Sequence, residues 1–126
     1  MVQLSIIVPA LNEEALIGET LASIERALAA LEQTSASLDG KVTEVEILLV
    51  DNGSRDSTRT IAGAFPLATV LDCPQRGAAH ARNHGARLSQ GDILVFLDAD
   101  TLLPEGVLDL VLSICRAGTV TAGIAP

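Results

Sequence analysis

The sequence contains few aromatic residues and few cysteines. Among its 126 residues there are two Phe, no Trp and no Tyr, although 48% of the chain is hydrophobic. The core must therefore be built from aliphatic side chains. Cys73 and Cys115 are too few and too far apart for a disulfide framework or a zinc site. We expect two thiols in a reducing cytoplasm, with a bridge between them as the open alternative.

Basic residues are also scarce, since 8 Lys and Arg face 16 Asp and Glu and the formal net charge is -8. This balance argues against nucleic acid as a partner, because phosphate backbones select basic surfaces. No apolar run approaches the length of a membrane-spanning helix, and no basic leader precedes the first apolar run, so no signal peptide is expected. We predict a cytoplasmic protein without a transmembrane segment, for which peripheral membrane contact stays open.

Apolar runs of strand length alternate with helical patterns along the whole chain. We predict strands at 4–8, 45–50, 69–71, 93–97 and 119–124. Apolar residues on one face predict helices at 13–31 and from 104 to 118. A short helix is predicted after Asp56 or Ser57 through about Ala64, and an Ala-rich helix at 78–88. This alternation is typical of a mostly parallel sheet covered by helices on both faces. We therefore predict a single α/β domain over 1–126 with three layers, α/β/α.

Several residues predict where these elements begin and end. Pro9 is expected to end the first strand, because proline cannot donate to a central ladder. Asn12 is expected to be the N-cap of the first helix, and Asp56 or Ser57 that of the second. The polar stretch 32–44 predicts a surface loop. Gly91 is expected to stop the third helix.

The stretch 91–104, GDILVFLDADTLLP, has the most informative pattern. Five apolar residues predict a strand buried on both faces, and Asp98 and Asp100 follow it directly. Extended geometry places residues two apart on the same side, so both carboxylates can converge on one point. Two like charges there are unfavourable without a cation, which predicts Mg²⁺ or Mn²⁺ with oxygen ligands. Alternatively, the aspartates only cap the next turn or helix.

Parallel strands place all their carboxyl ends on one edge of the sheet, where open α/β sheets bind ligands. Four segments with polar or small residues are predicted to meet there: 9–13, 51–54, 75–77 and 98–100. The glycine-rich turn of dinucleotide-binding folds does not follow the first strand of this sequence. The predicted edge therefore indicates a ligand site of another kind.

Four stretches of the chain together resemble the family 2 glycosyltransferases of the GT-A fold, which use nucleotide-diphosphate sugars. They are SIIVPALNEE, EILLVDNGSRDST, RGAAHARNHGA and GDILVFLDADTLLP. The resemblance covers nearly the whole chain. The PALNEE opening is most similar to the branch with glucosyl- and mannosyl-3-phosphoglycerate synthases and polyprenyl-phosphate sugar transferases. The resemblance implies a metal-dependent glycosyltransferase whose partners are a nucleotide-diphosphate sugar donor and an unknown acceptor.

The resemblance also implies which residues bind the nucleotide. Those lining the nucleoside pocket would be Pro9, Ala10, Leu11 and Glu13. Asp51, with Asn52 beside it, would face the base, where a carboxylate can accept from a ring imide N–H. Many family members have two aspartates here, whereas this chain has Asp-Asn.

The same resemblance assigns the diphosphate and the metal. Arg76 would lie near the diphosphate. Asp98 would approach the ribose and the metal, and Asp100 would be the main protein ligand of Mg²⁺ or Mn²⁺. A metal held there would stabilise the nucleoside-diphosphate leaving group as a Lewis acid, so Asp98 and Asp100 are the predicted catalytic residues.

Family members usually continue well beyond the length of this chain, with a half that carries acceptor contacts and the general base of inverting members. We expect the chain to end before that half, and no residue here is assigned as the base. Two interpretations stay open: an active transferase, and a nucleotide-sugar-binding fragment without catalysis. An open sheet edge also predicts self-association into a homo-oligomer.

Overall fold

The computed structural model describes residues 2–37, 42–116 and 122–124. It contains five strands: β1 (Val2–Ala10), β2 (Val42–Asp51), β3 (Ala68–Asp72), β4 (Ile93–Leu97) and β5 (Ala122–Ile124). Four helices connect them: α1 (Ile17–Ser37), α2 (Thr58–Gly63), α3 (Ala78–Leu88) and α4 (Val107–Arg116). None of the helices in these residues is long and apolar enough to cross a membrane.

The strands form one sheet in the order β3-β2-β1-β4-β5, and every neighbouring pair is parallel. The predicted parallel α/β sheet is confirmed. β1 lies at the centre because residues 4–8 carry apolar side chains on both faces, and all five, including Ser5, are buried.

Helices cover both faces of the sheet, as the three-layer prediction requires. On one face, Leu4, Ile6 and Val8 of β1 belong to a core cluster with residues of α1, α2 and α4. On the other face, Ile7 belongs to a smaller cluster with β2 residues and Ala81 of α3. This alternation along β1 follows from the opposite directions of successive side chains in a strand. The core is almost entirely aliphatic, as the composition predicts.

The prediction that the first strand ends at Pro9 is wrong, because β1 continues to Ala10. β1 pairs with β4 only from Leu4 to Ile7, whereas it pairs with β2 up to Ala10 and Asp51. The Ala10 carbonyl points to the β2 side, where it accepts the Asn52 N–H. Since neighbouring residues in a strand point to opposite sides, the missing N–H of Pro9 faces the β4 side, where pairing has stopped. Proline therefore breaks no ladder bond here.

The prediction that Asn12 caps a helix from 13 is wrong. α1 begins at Ile17, and Asn12 has a positive φ of 53°. The Oδ1 atom of Asn12 accepts the N–H of Arg55 (2.8 Å), which lies in the turn after β2. A contact distant in sequence thus replaces the local cap. The second helix has the predicted boundary, with Asp56 rather than Ser57 accepting the Thr58 N–H (3.0 Å).

The predicted loop at 32–44 is mostly regular structure. α1 continues to Ser37 and β2 begins at Val42, so only residues 38–41 lie between them, outside the described residues. Glu32, Gln33 and Ala36 favour helix despite their polar neighbourhood. The early start of β2 is supported by pairing of Val42 with Val2 and of Glu44 with Gln3.

Gly91 does not cap α3, since Ser89 is the C-cap residue. Its role is close packing, because a Cβ at position 91 would lie 2.5 Å from Ser5 Oγ. The buried Ser5 hydroxyl accepts the Gly91 N–H and donates to Glu46 Oε2 (2.6 Å). The predicted end of the fourth helix at Gly118, and residues 119–121 of the fifth predicted strand, lie outside the described residues.

Candidate functional site

A cavity lies at the carboxyl ends of the central strands, where the sequence places the ligand site. Its volume is about 220 Å³, and it is lined by Pro9, Ala10, Leu11, Glu13, Asn52, Gly77, Ala78 and Ala81. The structure therefore brings together five residues of the predicted nucleotide site. The other predicted residues, Asp51, Arg76, Asp98 and Asp100, are not among the residues that line this cavity.

The residues after β1 form one wall of the cavity. Hydrogen bonds to the residues after β2 hold this wall in place. Asn12 N–H donates to Ser54 Oγ (2.9 Å), and Glu13 N–H donates to Thr58 Oγ1 (2.9 Å). Glu14 N–H donates to Asp56 Oδ2 (3.2 Å), and Glu14 Oε2 in turn accepts the Ser57 N–H (3.0 Å). These reciprocal bonds satisfy backbone groups that would otherwise face solvent before α1 begins. The wall is thus fixed before any ligand arrives.

Asp51 ends β2 and is almost fully buried, with 1% of its surface exposed. Its Oδ1 accepts the Ser54 N–H (3.3 Å), but among the described residues its Oδ2 has no hydrogen-bond partner. Arg59 Nε lies 3.7 Å from that oxygen, and Arg59 Nη1 lies 3.8 Å from Asp72 Oδ1. Arg59 thus compensates the negative charge of Asp51, while Asp51 Oδ2 can still accept a hydrogen bond. The predicted contact of Asp51 with a base stays a prediction.

Asn52 is 4% exposed and joins the end of β2 to the segment between β3 and α3. Its Nδ2 donates to the carbonyls of Cys73 (3.2 Å) and Gln75 (2.7 Å). Its Oδ1 accepts the N–H of Gly77 (2.9 Å). The Asn52 amide therefore uses both of its donors and one acceptor site on one short loop.

Arg76 is exposed at the tip of that loop. Its Nε lies near Gly53, 3.8 Å from where a Cβ of residue 53 would stand, and Gly53 has a φ of 95°. Within the described residues the ion pairs involve Arg59, and Arg76 forms none. The exposed guanidinium can therefore contact a ligand, and its predicted place near a diphosphate stays a prediction.

The two aspartates after β4 lie in a turn rather than in extended chain. β4 ends at Leu97, and the Thr101 N–H donates to the Asp98 carbonyl (3.0 Å). Asp98 and Asp100 are exposed, whereas Ala99 between them is buried. The predicted extended geometry of this segment is therefore wrong, because a turn follows β4. Both carboxylates are exposed, and their convergence on one point stays a prediction.

Two hydroxyl side chains of helix α1 hold this turn in place by hydrogen bonds. Thr20 Oγ1 donates to the Ala99 carbonyl (2.6 Å), and Ser23 Oγ accepts the Leu103 N–H (2.8 Å). Both hydroxyl residues are buried. Thr20 and Ser23 are not among the site residues predicted from the sequence. Their signal was two hydroxyls on the otherwise apolar face of the first helix.

Partial burial and the acidic side chains around it both affect the titration of Glu13. Burial, followed by the negative charges of Asp100, Asp56 and Asp98, raises the pKa of the Glu13 carboxyl. The Thr58 hydroxyl and backbone N–H groups lower the pKa of Asp56. Glu13, after β1, therefore lies close enough to Asp98 and Asp100, after β4, for their charges to act on its carboxyl group.

The raised pKa predicts a pH-dependent cost of ionising Glu13. Its folded pKa lies above the unfolded value near 4.5, so the cost is fully present above the folded pKa and is absent below the unfolded one. Glu13→Gln is therefore expected to raise the melting temperature at pH 7, with a gain that shrinks as pH falls towards 4. Thermal denaturation followed by circular dichroism at several pH values measures this. A gain independent of pH would contradict the electrostatic origin.

The donor set fits a hard divalent cation only if another molecule completes it. Asp98 and Asp100 offer carboxylate oxygens in a region of negative charge, as Mg²⁺ and Mn²⁺ require. In the described residues, however, no group of three His, Cys, Asp or Glu side chains could hold a metal ion. Magnesium is commonly held by one or two carboxylates together with substrate phosphates. The residues therefore fit a metal that arrives with a diphosphate.

Three residues of the cavity were not predicted individually: Gly77, Ala78 and Ala81. They belong to the first turn of α3 and the residue before it. The available signal was the run of small residues in RGAAHARNHGA, which lets the helix approach the strand ends closely.

Comparisons with known proteins agree with this architecture. An uncharacterized glycosyltransferase of Haemophilus influenzae is 36% identical over 104 residues, covering 81% of this chain and 31% of that protein. Glucosyl-3-phosphoglycerate synthase of Mycobacterium tuberculosis is 35% identical over 111 residues, covering 81% of this chain and 30% of that protein. This chain thus spans less than a third of the length of these two curated relatives.

A solved structure has the same fold. The crystal structure of the Mycobacterium tuberculosis glucosyl-3-phosphoglycerate synthase in complex with Mn²⁺, uridine diphosphate and phosphoglyceric acid superposes with a TM-score of 0.65. It is 30% identical, and the match covers 93% of this chain and 40% of the synthase chain. The model of the glycosyl transferase family 2 matches residues 5–124. Sequence, fold and edge geometry agree, and the chain belongs to glycosyl transferase family 2.

Proposed function

We propose that this chain binds a nucleoside-diphosphate sugar together with Mg²⁺ or Mn²⁺ and serves sugar transfer to an acceptor. The observation that carries the proposal is the cavity at the ends of β1, β2 and α3, beside exposed Asp98 and Asp100. A nucleoside would occupy the cavity, and the diphosphate would extend towards the two aspartates through the metal. Family membership supports this assignment.

The charges at the edge account for the need for a metal. A protein with a net charge of -8 repels a diphosphate unless a cation is placed between them. Asp98 and Asp100 would hold that cation, and the exposed guanidinium of Arg76 would contact the phosphates directly. When bound, the metal would stabilise the charge of the leaving diphosphate as a Lewis acid.

We propose uridine diphosphate as the nucleotide to test first. A related synthase 30% identical to this chain has been crystallised with uridine diphosphate and Mn²⁺. Uracil carries an imide N–H, which the unpaired Asp51 Oδ2 could accept if that buried oxygen turns towards the cavity. Guanine also offers a ring N–H, whereas adenine does not, so the three nucleotides distinguish this kind of recognition from unspecific stacking.

Isothermal titration calorimetry with uridine, guanosine and adenosine diphosphates, each with Mn²⁺ and with a chelator, tests the proposal. We expect uridine diphosphate to bind in Mn²⁺ and to lose at least about tenfold in affinity without it. Binding of none of the three nucleotides in the presence of Mn²⁺ would contradict the proposal.

Transfer is tested separately from binding, because the curated relatives are more than three times as long as the stretch that matches them. Incubation with a labelled uridine-diphosphate sugar and phosphoglycerate, the acceptor named for the related synthase, measures product directly. Product supports the complete reaction. Metal-dependent binding without product, with this and other acceptors, supports the alternative in which this chain only binds the donor.

A further inference from the structure

We propose that Asn52 is a positioning residue that holds the loop 73–77 and thereby keeps Arg76 over the diphosphate. This inference rests on the proposed function, because the diphosphate is the ligand that Arg76 would contact. The hydrogen bonds of Asn52 within the protein are seen in the structure and do not depend on the proposed function.

The Asn52 side chain is committed to this loop. It contacts three of the five residues in the loop 73–77: the carbonyls of Cys73 and Gln75 accept its two N–H bonds, and Gly77 donates to its oxygen. The Asn52 backbone N–H in turn donates to the Ala10 carbonyl (2.9 Å), which fixes its own position at the end of β1. Asn52 therefore connects the central strand to the loop through a single buried residue.

The loop has little other support at its tip. The Cys73 N–H donates to the Asp51 carbonyl (2.9 Å), and the Cys73 thiol lies 3.5 Å from the Gln75 carbonyl as a weak donor. Residues 74–77 are exposed, so packing does not hold them. Without Asn52, the position of Arg76 would depend on a flexible segment, and an arginine loses much of its binding contribution when it must first be ordered.

The side chain at position 52 determines whether the hydrogen bonds to the loop 73–77, here called the Asn52 brace, can form. An aspartate has the same shape as asparagine but no N–H donors. Asp at position 52 could still accept the Gly77 N–H, but it would place a carboxylate against the carbonyls of Cys73 and Gln75. The asparagine of this chain therefore gives its loop two hydrogen bonds that an aspartate could not provide.

The first test is the loop itself and needs no nucleotide. Trypsin cleaves after exposed arginines, and Arg76 lies at the loop tip. Asn52→Asp loses two hydrogen bonds, so cleavage after Arg76 is expected to rise by about tenfold. Cleavage after Arg55, in the neighbouring turn, is the internal reference. An unchanged rate after Arg76 would overturn the proposal.

The second test separates positioning from direct contact with the base. Asn52→Asp should weaken uridine diphosphate in Mn²⁺ by about tenfold more than it weakens uridine, because uridine has no diphosphate for Arg76 to contact. Arg76→Ala should show the same loss, and the double variant should lose no more than either single one. Equal losses for uridine, or losses that add, would overturn the positioning role.

If Asn52→Asp does not fold, the wild-type protein still decides. The Gly77 amide is expected to exchange with solvent at least about tenfold more slowly than a free amide, since it donates to a buried oxygen. An unprotected Gly77 amide would contradict the brace. A wild-type protein that binds no nucleotide, while the cleavage and exchange tests give the expected results, would show that the proposed sugar donor is wrong. In that case the role of Asn52 in holding the loop is still supported.

Discussion

Replacing Asp100 with Asn is expected to remove the metal-dependent part of uridine-diphosphate affinity, a loss of about 100-fold in Mn²⁺. Changing even an outer partner of a metal ligand costs about 10–100-fold, so a direct ligand should reach the upper end of that range. The Asp100 side chain is exposed, and among the described residues its one side-chain hydrogen bond is a long one of 3.4 Å from the Thr101 hydroxyl. The substitution should therefore leave the fold intact. Calorimetry with and without Mn²⁺ measures the loss.

The sign of the effect without metal makes this prediction specific. In a chelator, Asp100→Asn should bind uridine diphosphate at least as well as the wild type, because one negative charge near the diphosphate has been removed. Asp92→Asn is the matched control, since Asp92 precedes β4 and lies about 17 Å from its other end. Equal losses with and without Mn²⁺, or an unchanged affinity in Mn²⁺, would show that Asp100 does not bind the metal.

Sequence patterns correctly predicted those strands and helices whose own residues form a recognisable local pattern. The apolar run at 93–97 coincides with β4, and the small-residue segment at 78–88 coincides with α3, because burial and helix periodicity are local properties. The start of α1 was predicted wrongly, since Asn12 is bound by Arg55, 43 positions away. No local rule contains that contact.

The site follows the same division. Parallel topology alone brings 9–13, 51–54 and 75–77 to one edge, and residues from all three segments line one cavity. The individual contacts depend on side-chain rotamers and long-range packing. The Asn52 brace, and the Arg59 guanidinium beside the Asp51 carboxylate, could not be derived from spacing. The metal-binding role of Asp98 and Asp100 rests on their exposure and charge and stays a prediction.

The position of α3 leads to the second large effect, because Gly85 lets this helix lie directly on the sheet. A Cβ at position 85 would lie 2.6 Å from Ile7 Cγ2 and 2.9 Å from Val50 Cγ2. Both side chains are fully buried and branched at Cβ, so neither can rotate away easily. Gly85→Ala is expected to lower the free energy of unfolding by about 1–2 kcal/mol, after the gain in helix propensity is subtracted from the cost of overpacking.

Gly63→Ala is the matched control for this prediction. Gly63 ends α2, and a Cβ there would meet nothing within 4 Å. The same substitution should raise the free energy of unfolding by about 0.4–1 kcal/mol, because alanine restricts the unfolded chain. Urea denaturation of both variants measures the two changes. If the two variants change in the same direction, helix propensity rather than packing governs position 85.

A shift of α3 should also reach the site. Ala81 lies one turn before Gly85 on the same buried face, and Ala81, Ala78 and Gly77 line the cavity. A helix pushed away from Ile7 and Val50 carries these three residues with it. Gly85→Ala is therefore expected to weaken uridine-diphosphate binding equally with and without Mn²⁺, in contrast to Asp100→Asn. The two variants thus separate the shape of the nucleoside cavity from the charge that holds the metal.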